Sequence, residues 1–407
     1  MSKLEELLAK PSSGRVPFRT LGEVGEFIRG NGLQKKDLVG EGVPAVHYGQ
    51  IHTHYGVWAT ETKSFTSESV AAKLRNAKPG DLLIATTSED DEAVAKATAW
   101  VGESNVVLSG DAYIYRHTFE PKYVAYFFQS EQFQSQKRRY VSGTKVRRVS
   151  GVNLAKIKIP VPPLEVQREI VRVLDRFTQL EAELEAELEA RRRQYEFYAG
   201  ELLAVTADVA RIRFGDIATI VRGASPRPIQ TFLTDDPAGV PWIKIGDVPA
   251  SGKYITSTAQ RVTPEGAAKS RRVRPGDFVL SNSMSFGRPY VSKIDGYIHD
   301  GWLAISGFED SYIRDYLYYL LRSEPIQQEF ARKAGAGTVK NLNAEIVRSV
   351  VIPVPPREEQ ERVVELLDRF EALVNDISIG LPAELAARRK QYEYYRDRLL
   401  TFEEAMP

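Results

Sequence analysis

The chain has 407 residues, 43% of them apolar and 27% charged, with a formal net charge of +1 and no cysteine. That length exceeds one ordinary core and that composition excludes a disordered polymer, so two or more globular domains are expected. The missing cysteine excludes disulfides, thiolate nucleophiles and cysteine-bound zinc, and the five histidines show no HExxH or HxH spacing on a helix, so no metal ion is expected.

The opening MSKLEELLAK reads as an amphipathic helix and not as a signal peptide, and no apolar run is long enough to span a bilayer. A cytoplasmic protein without membrane contact is expected. Next, VPAVHYGQIH is a brief half-alternating run that reads as a strand with His52 and His54 on its polar face. Pro79-Gly80-Asp81 is a turn that launches the strand LLIATTS. A helical stretch follows, EPKYVAYFFQSEQFQSQKRRY, whose aromatics fall at helical spacing and are assigned to core packing. Pro162-Pro163 then suits the first turn of a helix, with Glu165 and Glu169 near the positive end of its dipole. Ile170, Leu174, Phe177, Leu180, Leu184, Leu188, Tyr195, Tyr198 and Leu202 recur at three and four, so one rod of about 40 residues and roughly 60 Å is expected. Its middle is the tetrad run LEAELEAELEA, Leu180 to Ala190.

The chain is then written a second time. IPVPPLEVQREIVRVLDRF (159–177) and IPVPPREEQERVVELLDRF (352–370) agree at twelve of nineteen positions, offset by 193. RRRQYEFYAGELL (191–203) matches RRKQYEYYRDRLL (388–400), offset by 197. Upstream, LGEVGEFIRG answers FGDIATIVRG, KPGDLL answers RPGDFV, and SGT at 142–144 answers AGT at 336–338. The second copy adds the strands VPWIKIGDV and FVLSNS, the aromatic helical run DSYIRDYLYYLLRSEPIQQEFARK, and SIGLPAEL. There Gly380 and Pro382 predict a break in the second rod. The fold class is therefore α+β: two globular α+β domains, residues 1–158 and 206–351, alternating with helical segments 159–205 and 352–407. The apolar stripes are narrow, as in a coiled-coil seam, and the two rods are expected to pack antiparallel with a pseudo-two-fold internal repeat.

Charge follows the same partition. Residues 1–158 hold 22 Lys+Arg against 17 Asp+Glu and residues 206–351 hold 19 against 15, whereas 159–205 hold 6 against 10 and 352–407 hold 8 against 12. Basic clusters sharpen the excess: Lys137, Arg138, Arg139, Lys145, Arg147 and Arg148 surround a Gly turn, and the second domain offers Arg271, Arg272, Arg274, Arg332, Lys333 and Lys340. Two similar basic modules on one chain are the footprint of a reader of double-stranded DNA with two half-sites. Methyl-transfer and ATP chemistry lack their loops: there is no Asn/Asp-Pro-Pro-aromatic element and no GxxxxGK[ST], and IRGNGLQ and GAGTVKN read as turns, so no cofactor is expected.

The IPVPPxxxQ entry, the RRxQYEFY and RRKQYEYYRDRLL helix ends, GLPAEL and the Leu-Glu-Ala-Glu tetrads resemble the specificity subunits of type I restriction-modification systems, over the whole chain. The resemblance implies two target-recognition domains that read a bipartite site, two docked adenine-methyltransferase subunits, and restriction subunits joined through the complex. It also implies a non-catalytic role for this chain. LEELLAK resembles GELLAV after the first rod, as though the two chain ends were halves of one conserved region. A coiled-coil scaffold with two peptide-binding domains is the alternative, and a fused enzyme a more distant third. Contact candidates come from polar residues on turns: Asn31, Gln34, Lys35, Thr86, Thr87, Ser88 and Lys145 in the first domain, and Ser225, Arg227, Ser281, Asn282, Ser283, Arg288, Lys340 and Asn341 in the second. Tyr195, Tyr198, Tyr392 and Tyr395, on the matching helix ends, are the candidates for partner binding.

Overall fold

The computed structural model describes residues 15–204, 209–248, 252–282, 286–335, 341–375 and 380–405. The amino-terminal helix expected from MSKLEELLAK, Ser283 and Lys340 lie outside the described residues. The chain divides into two compact units, Met1–Ala186 with Glu384–Pro407, and Glu187–Ala383. No helix among the described residues is long and apolar enough to cross a membrane.

In the first unit a five-stranded sheet runs, in spatial order, Gly25–Arg29, Ala112–His117, Leu82–Ala85, Lys96–Trp100, Trp58–Ala59. The central strand is LLIA, buried at all four positions because both faces are covered. Leu82 and Ile84 join a core with the helix Pro121–Gln129, while Leu83 and Ala85 join a second core with Val46 and Leu108 of a four-stranded sheet. The second unit repeats the order with Thr219–Arg222, Trp302–Ser306, Phe278–Ser281, Pro289–Ser292, Tyr254–Ile255. Phe278 and Leu280 likewise face the helix Arg314–Arg322, and Val279 faces the other way. The aromatics of both helical runs are core, as their spacing predicts: Tyr123, Tyr126, Phe127, Tyr316 and Tyr318 are buried.

The shared motif IPVPPxxxQ has a mechanical reason. After the two prolines, Gln167 accepts from the Glu120 N–H at 3.0 Å and donates to the Pro162 carbonyl at 2.8 Å, so one buried amide ties the rod's first turn to the start of the aromatic helix. Gln360 does the same with the Ile313 N–H at 2.8 Å and the Pro355 carbonyl at 2.9 Å. Each buried amide thus satisfies backbone groups that a helix end leaves free.

The rod expected from the first helical segment is one helix, Leu164–Leu203. In the first unit it packs antiparallel to the helix Leu381–Leu400: Phe177 stacks on Tyr395 at 5.4 Å and Arg389 bonds Glu181 at 2.7 Å, so rising numbers meet falling ones. In the second unit its last turns stack Tyr198 on Phe370 of the helix Arg357–Asn375 at 6.1 Å, the equivalent pair. The break expected near Gly380 falls between those two helices, with 376–379 outside the described residues.

Three local readings change. The run VPAVHYGQIH is strand only over Val43–Val46; Tyr48–Thr53 is a helix, because the Gln50 side chain accepts from the His47 N–H and His47 Nδ1 accepts from the Gly49 N–H, capping a helical turn that buries Ile51. VPWIKIGDV likewise is strand over Val240–Ile243 and a 3₁₀ turn over Ile245–Asp247. The tetrad leucines also do not share one environment: Leu180 is 46% exposed and Leu188 only 8%. A repeat of four overshoots 3.6 residues per turn, so its stripe rotates out of a straight seam.

Val16 and the segment 403–405 meet in the first unit. Val16 N–H donates to the Glu403 carbonyl and Ala405 N–H to the Val16 carbonyl, both at 3.0 Å. Next to it, Phe18–Thr20 pairs antiparallel with Lys158–Pro160, as Ala210–Arg213 pairs with Val351–Val354 in the second unit.

Candidate nucleic-acid interface

In both units the first strand of the five-stranded sheet ends in Arg-Gly, and the geometry explains the pair. Arg29 Nε donates to the Gly110 carbonyl at 2.9 Å, and Arg222 Nε to the Asp300 carbonyl at 3.1 Å. A Cβ on Gly30 would meet the Ser109 carbonyl oxygen, and one on Gly223 the His299 carbonyl oxygen, so the chains approach too closely for any other residue. Each Arg-Gly holds the turn opposite it against the end of the sheet.

A second shared hydrogen bond brings distant segments to that place. Val149 N–H donates to the Thr86 carbonyl at 3.2 Å, and Leu342 N–H to the Asn282 carbonyl at 2.8 Å. In the first unit this bond continues as a short ladder, Arg148 opposite Thr87 and Arg147 opposite Ser88. The loop that carries Lys145 therefore projects from a hairpin closed by Ser142 and Arg148, with Gly143 at φ +96 where an L side chain is strained. A polar cavity of about 310 Å³ opens here, between Arg29, Thr86, Thr87, Asp111, Arg148 and Asn153.

The candidate residues fare differently in this frame. Ser88 borders the basic hairpin and Lys145 is exposed at its tip, whereas Thr87, opposite Arg148, is buried. Thr86 is buried, its hydroxyl donating to the Asp111 carbonyl at 3.2 Å. Asn31 is spent on structure: its amide donates to the Lys73 carbonyl at 3.0 Å and accepts from the Arg75 N–H at 2.7 Å. Gln34 and Lys35 are exposed at a 3₁₀ turn over Lys35–Asp37, apart from the residues that line the cavity. In the second unit Ser281 and Asn282 are buried, Asn282 donating to the Asp300 carbonyl at 3.0 Å. Ser225 donates to Asp300 Oδ1 at 2.7 Å, and Arg227, 84% exposed, lies 3.7 Å from Asp300 Oδ2. Arg288 crosses the Tyr290 ring at 5.3 Å, and Asn341 is exposed.

Electrostatics set these groups apart. The Ser225 hydroxyl, bonded to Asp300, holds that carboxyl below the usual carboxylate range. Burial depresses His299 beside it and His52, whose Nε2 lies 2.9 Å from the Thr87 carbonyl oxygen. Both imidazoles are therefore neutral at neutral pH and act as hydrogen-bonding groups, not as cations. Arg147 pairs with Asp91 at 2.9 Å across the hairpin. Among the described residues no three His, Asp or Glu side chains converge as a metal site.

The tyrosines that the sequence offers as candidates for partner binding turn inward for the most part. Tyr395 stacks on Phe177, Tyr392 donates to Gln129 at 2.9 Å, and Tyr195 packs against the core of the second unit. Tyr198 is 42% exposed. The most exposed aromatics lie one step away at matching positions, Phe197 at 64% and Tyr394 at 56%. Sequence reasoning missed these two, and also Arg29, Arg222 and Asp300; the repeated Arg-Gly and the repeated QYEFY/QYEYY carried the signal.

Comparison with known proteins shows what this arrangement is similar to. The chain matches the family model of the type I restriction modification DNA specificity domain over residues 15–190 and again over 207–387. It is 32% identical over 271 residues to the EcoR124I/EcoR124II type I restriction enzyme specificity subunit of Escherichia coli, a match that covers 62% of this chain and only 65% of that one. It is 32% identical over 275 residues to a putative type I restriction enzyme specificity subunit of Haemophilus influenzae, covering 65% of this chain and 68% of the relative. A chain solved in a study of complex assembly and conformational transition of the type I R-M system superposes with a TM-score of 0.70 at 19% identity, covering 95% of this chain and 99% of that one. The HsdS subunit from Thermoanaerobacter tengcongensis gives 0.54 at 19% identity, over 96% and 97%. At that identity the two solved structures speak for the fold alone.

Proposed function

This chain belongs to the type I restriction-modification DNA specificity family, and from that premise we propose that it reads a bipartite double-stranded DNA target, one half with each unit. The observation that carries the reading is the shared loop scaffold: in both units the Arg-Gly contact and the bond from residue 149 or 342 gather polar strand ends and a basic or amide-bearing loop at one end of the sheet. Residues 1–158 and 206–351 act as recognition domains, and 159–205 and 352–407 as helical spacers. Lys35, Lys145 and Arg148 grip phosphate, whereas Gln34, Ser88, Arg227, Arg288 and Asn341 reach base edges. Thr86, Thr87, Ser281, Asn282, Asn31 and Ser225 support those loops from beneath.

The chain supplies recognition and needs no cofactor of its own. It works in the cytoplasm with two methyltransferase subunits docked along the helical spacers, where Phe197 and Tyr394 present equivalent apolar contacts, and with restriction subunits joined through that complex. DNA binding measured against salt is the test. A reader loses affinity with a log–log slope of several units, about 0.9 per phosphate neutralised, and shows no methyl transfer alone in a single turnover. Salt-insensitive or absent DNA binding by the folded chain, with peptide binding in its place, would return the scaffold reading.

A further inference from the structure

The turn held by the repeated Arg-Gly differs in one residue between the units. In the first unit Arg29 bonds the carbonyl of Gly110, which has no side chain, and in the second Arg222 bonds the carbonyl of Asp300. The first unit's own carboxylate in this turn, Asp111, stands one residue further on and lines the cavity. The second unit thus sets a carboxylate, 42% exposed, at the end of the sheet where its polar loops gather. An anion is out of place on a surface that faces a polyanion unless it acts through a neighbour.

The neighbour is Arg227, and both partners are built to stay where they are. Ser225 Oγ donates to Asp300 Oδ1 at 2.7 Å and accepts from the Asp300 N–H at 3.3 Å, while the Asp300 carbonyl also accepts from Asn282 Nδ2 at 3.0 Å. His299 Nδ1 lies 3.8 Å from Oδ1 but accepts from the Gly301 N–H at 2.9 Å, so it brings no charge to the carboxylate. On the other side Arg227 Nη2 stands 3.7 Å from Oδ2. That distance is too long for a hydrogen bond, so charge aims the guanidinium and leaves its N–H donors free. Arg227 follows the buried Pro226 and precedes Pro228, two rings that fix φ. The loop behind is anchored as well, the Ala224 N–H donating to the Ile298 carbonyl at 3.3 Å and the Ala224 carbonyl accepting from Ser270 Oγ at 2.7 Å.

We propose that Arg227 reads a guanine in the half-site of the second unit, and that Asp300 is the residue that positions it. Guanine follows from the donors: a guanidinium offers only N–H groups, and guanine alone presents two acceptors, O6 and N7, side by side in the major groove. A base edge is favoured over phosphate by Asp300 itself, whose charge offsets that of Arg227 and repels a phosphate while leaving the donors in place. Holding the side chain before DNA arrives lowers the ordering cost of the contact. With glycine at the equivalent place, the first unit has no such pair and reads its half-site by other residues. The inference rests on the chain reading DNA, and goes beyond that reading by assigning one base pair to one side chain and its orienting carboxylate.

The test first takes the parent's site from methylome sequencing of the full chain expressed with its methyltransferase subunit. Competing duplexes with each base pair replaced in turn then give the preference at every position. Arg227→Ala should lower the preference for one G·C pair, in one half-site, by about tenfold or more and leave the other positions as they were. Its salt slope should stay within about half a unit of the parent's, whereas loss of a phosphate grip would weaken every duplex alike and reduce the slope by about 0.9. Asp300→Asn keeps the acceptor for Ser225 but not the charge, and should lower the same preference severalfold. In the Arg227→Ala background it should lower that preference no further, because the carboxylate acts through the arginine. Uniform weakening, additive effects of the two changes, or a parent half-site without a G·C pair would each overturn the assignment. A selective parent whose Arg227→Ala variant keeps every preference sinks this inference alone, and a parent without base preference sinks the reader proposal along with it.

Discussion

Lys137 shows how one residue of the basic cluster serves the fold before it serves a ligand. It is fully buried, its ammonium donating to the Glu92 and Val94 carbonyls at 2.9 Å each, and burial pulls its pKa down to about 8. Between pH 8 and the ordinary lysine value the unfolded chain holds a proton that the folded chain has released, so stability rises with pH across that window and is diminished below it. Lys137→Met removes the titration: the gain in unfolding free energy that the parent shows between pH 7.5 and 9.5 should shrink by roughly 2 kcal/mol in urea melts. An equal pH response in the two proteins would mean that Lys137 titrates normally. Gly143 acts on the hairpin itself, where a Cβ would meet the Val146 carbonyl oxygen. Gly143→Ala should distort the Lys145 loop at a cost of about 1–2 kcal/mol, lower the melting temperature by roughly 2–8 °C and reduce duplex DNA affinity severalfold in fluorescence anisotropy.

At the scale of the element, the rod Leu164–Leu203 is one uninterrupted helix through the tetrads, and its exposed leucine shows that the repeat is not fixed by a tight seam. A further Leu-Glu-Ala-Glu extends such a helix by about 6 Å and rotates it roughly 40° beyond a full turn, a change a loosely packed helix accepts. Inserting one tetrad after Glu187 should leave both half-sites readable and lengthen the unread spacer by one or two base pairs, given about 3.4 Å of duplex rise per pair. Methylome sequencing of the mutant, expressed with its methyltransferase subunit, reads the spacer directly. An unchanged spacer in an active mutant would leave the repeat as ordinary helix.

Across the whole molecule, each unit carries its own five-stranded sheet, two-faced core and rod contacts, including the Phe177–Tyr395 and Tyr198–Phe370 stacks. Cores that close separately permit exchange. Replacing residues 206–351 by the corresponding segment of another family member should change one half of the recognised DNA site and preserve the other, again by methylome sequencing. Alteration of both halves in a folded hybrid would show that the units do not read independently.

The sequence by itself determined the duplication, the α+β class, the start of each rod at its Pro-Pro pair and the burial of the aromatic helices, because periodicity and proline placement act within a few residues of chain. Tertiary structure alone decided which polar candidates remain available. Asn31 is consumed by Lys73 and Arg75 more than 40 positions away, and Asn282 by Asp300, bonds that no local pattern encodes. It also decided that Phe197 and Tyr394, not the stripe of Tyr195 and Tyr392, face outward, because the stripe is what the rod turns toward its core. Hydrogen-bond partners and voids are set by chain segments that meet only after folding.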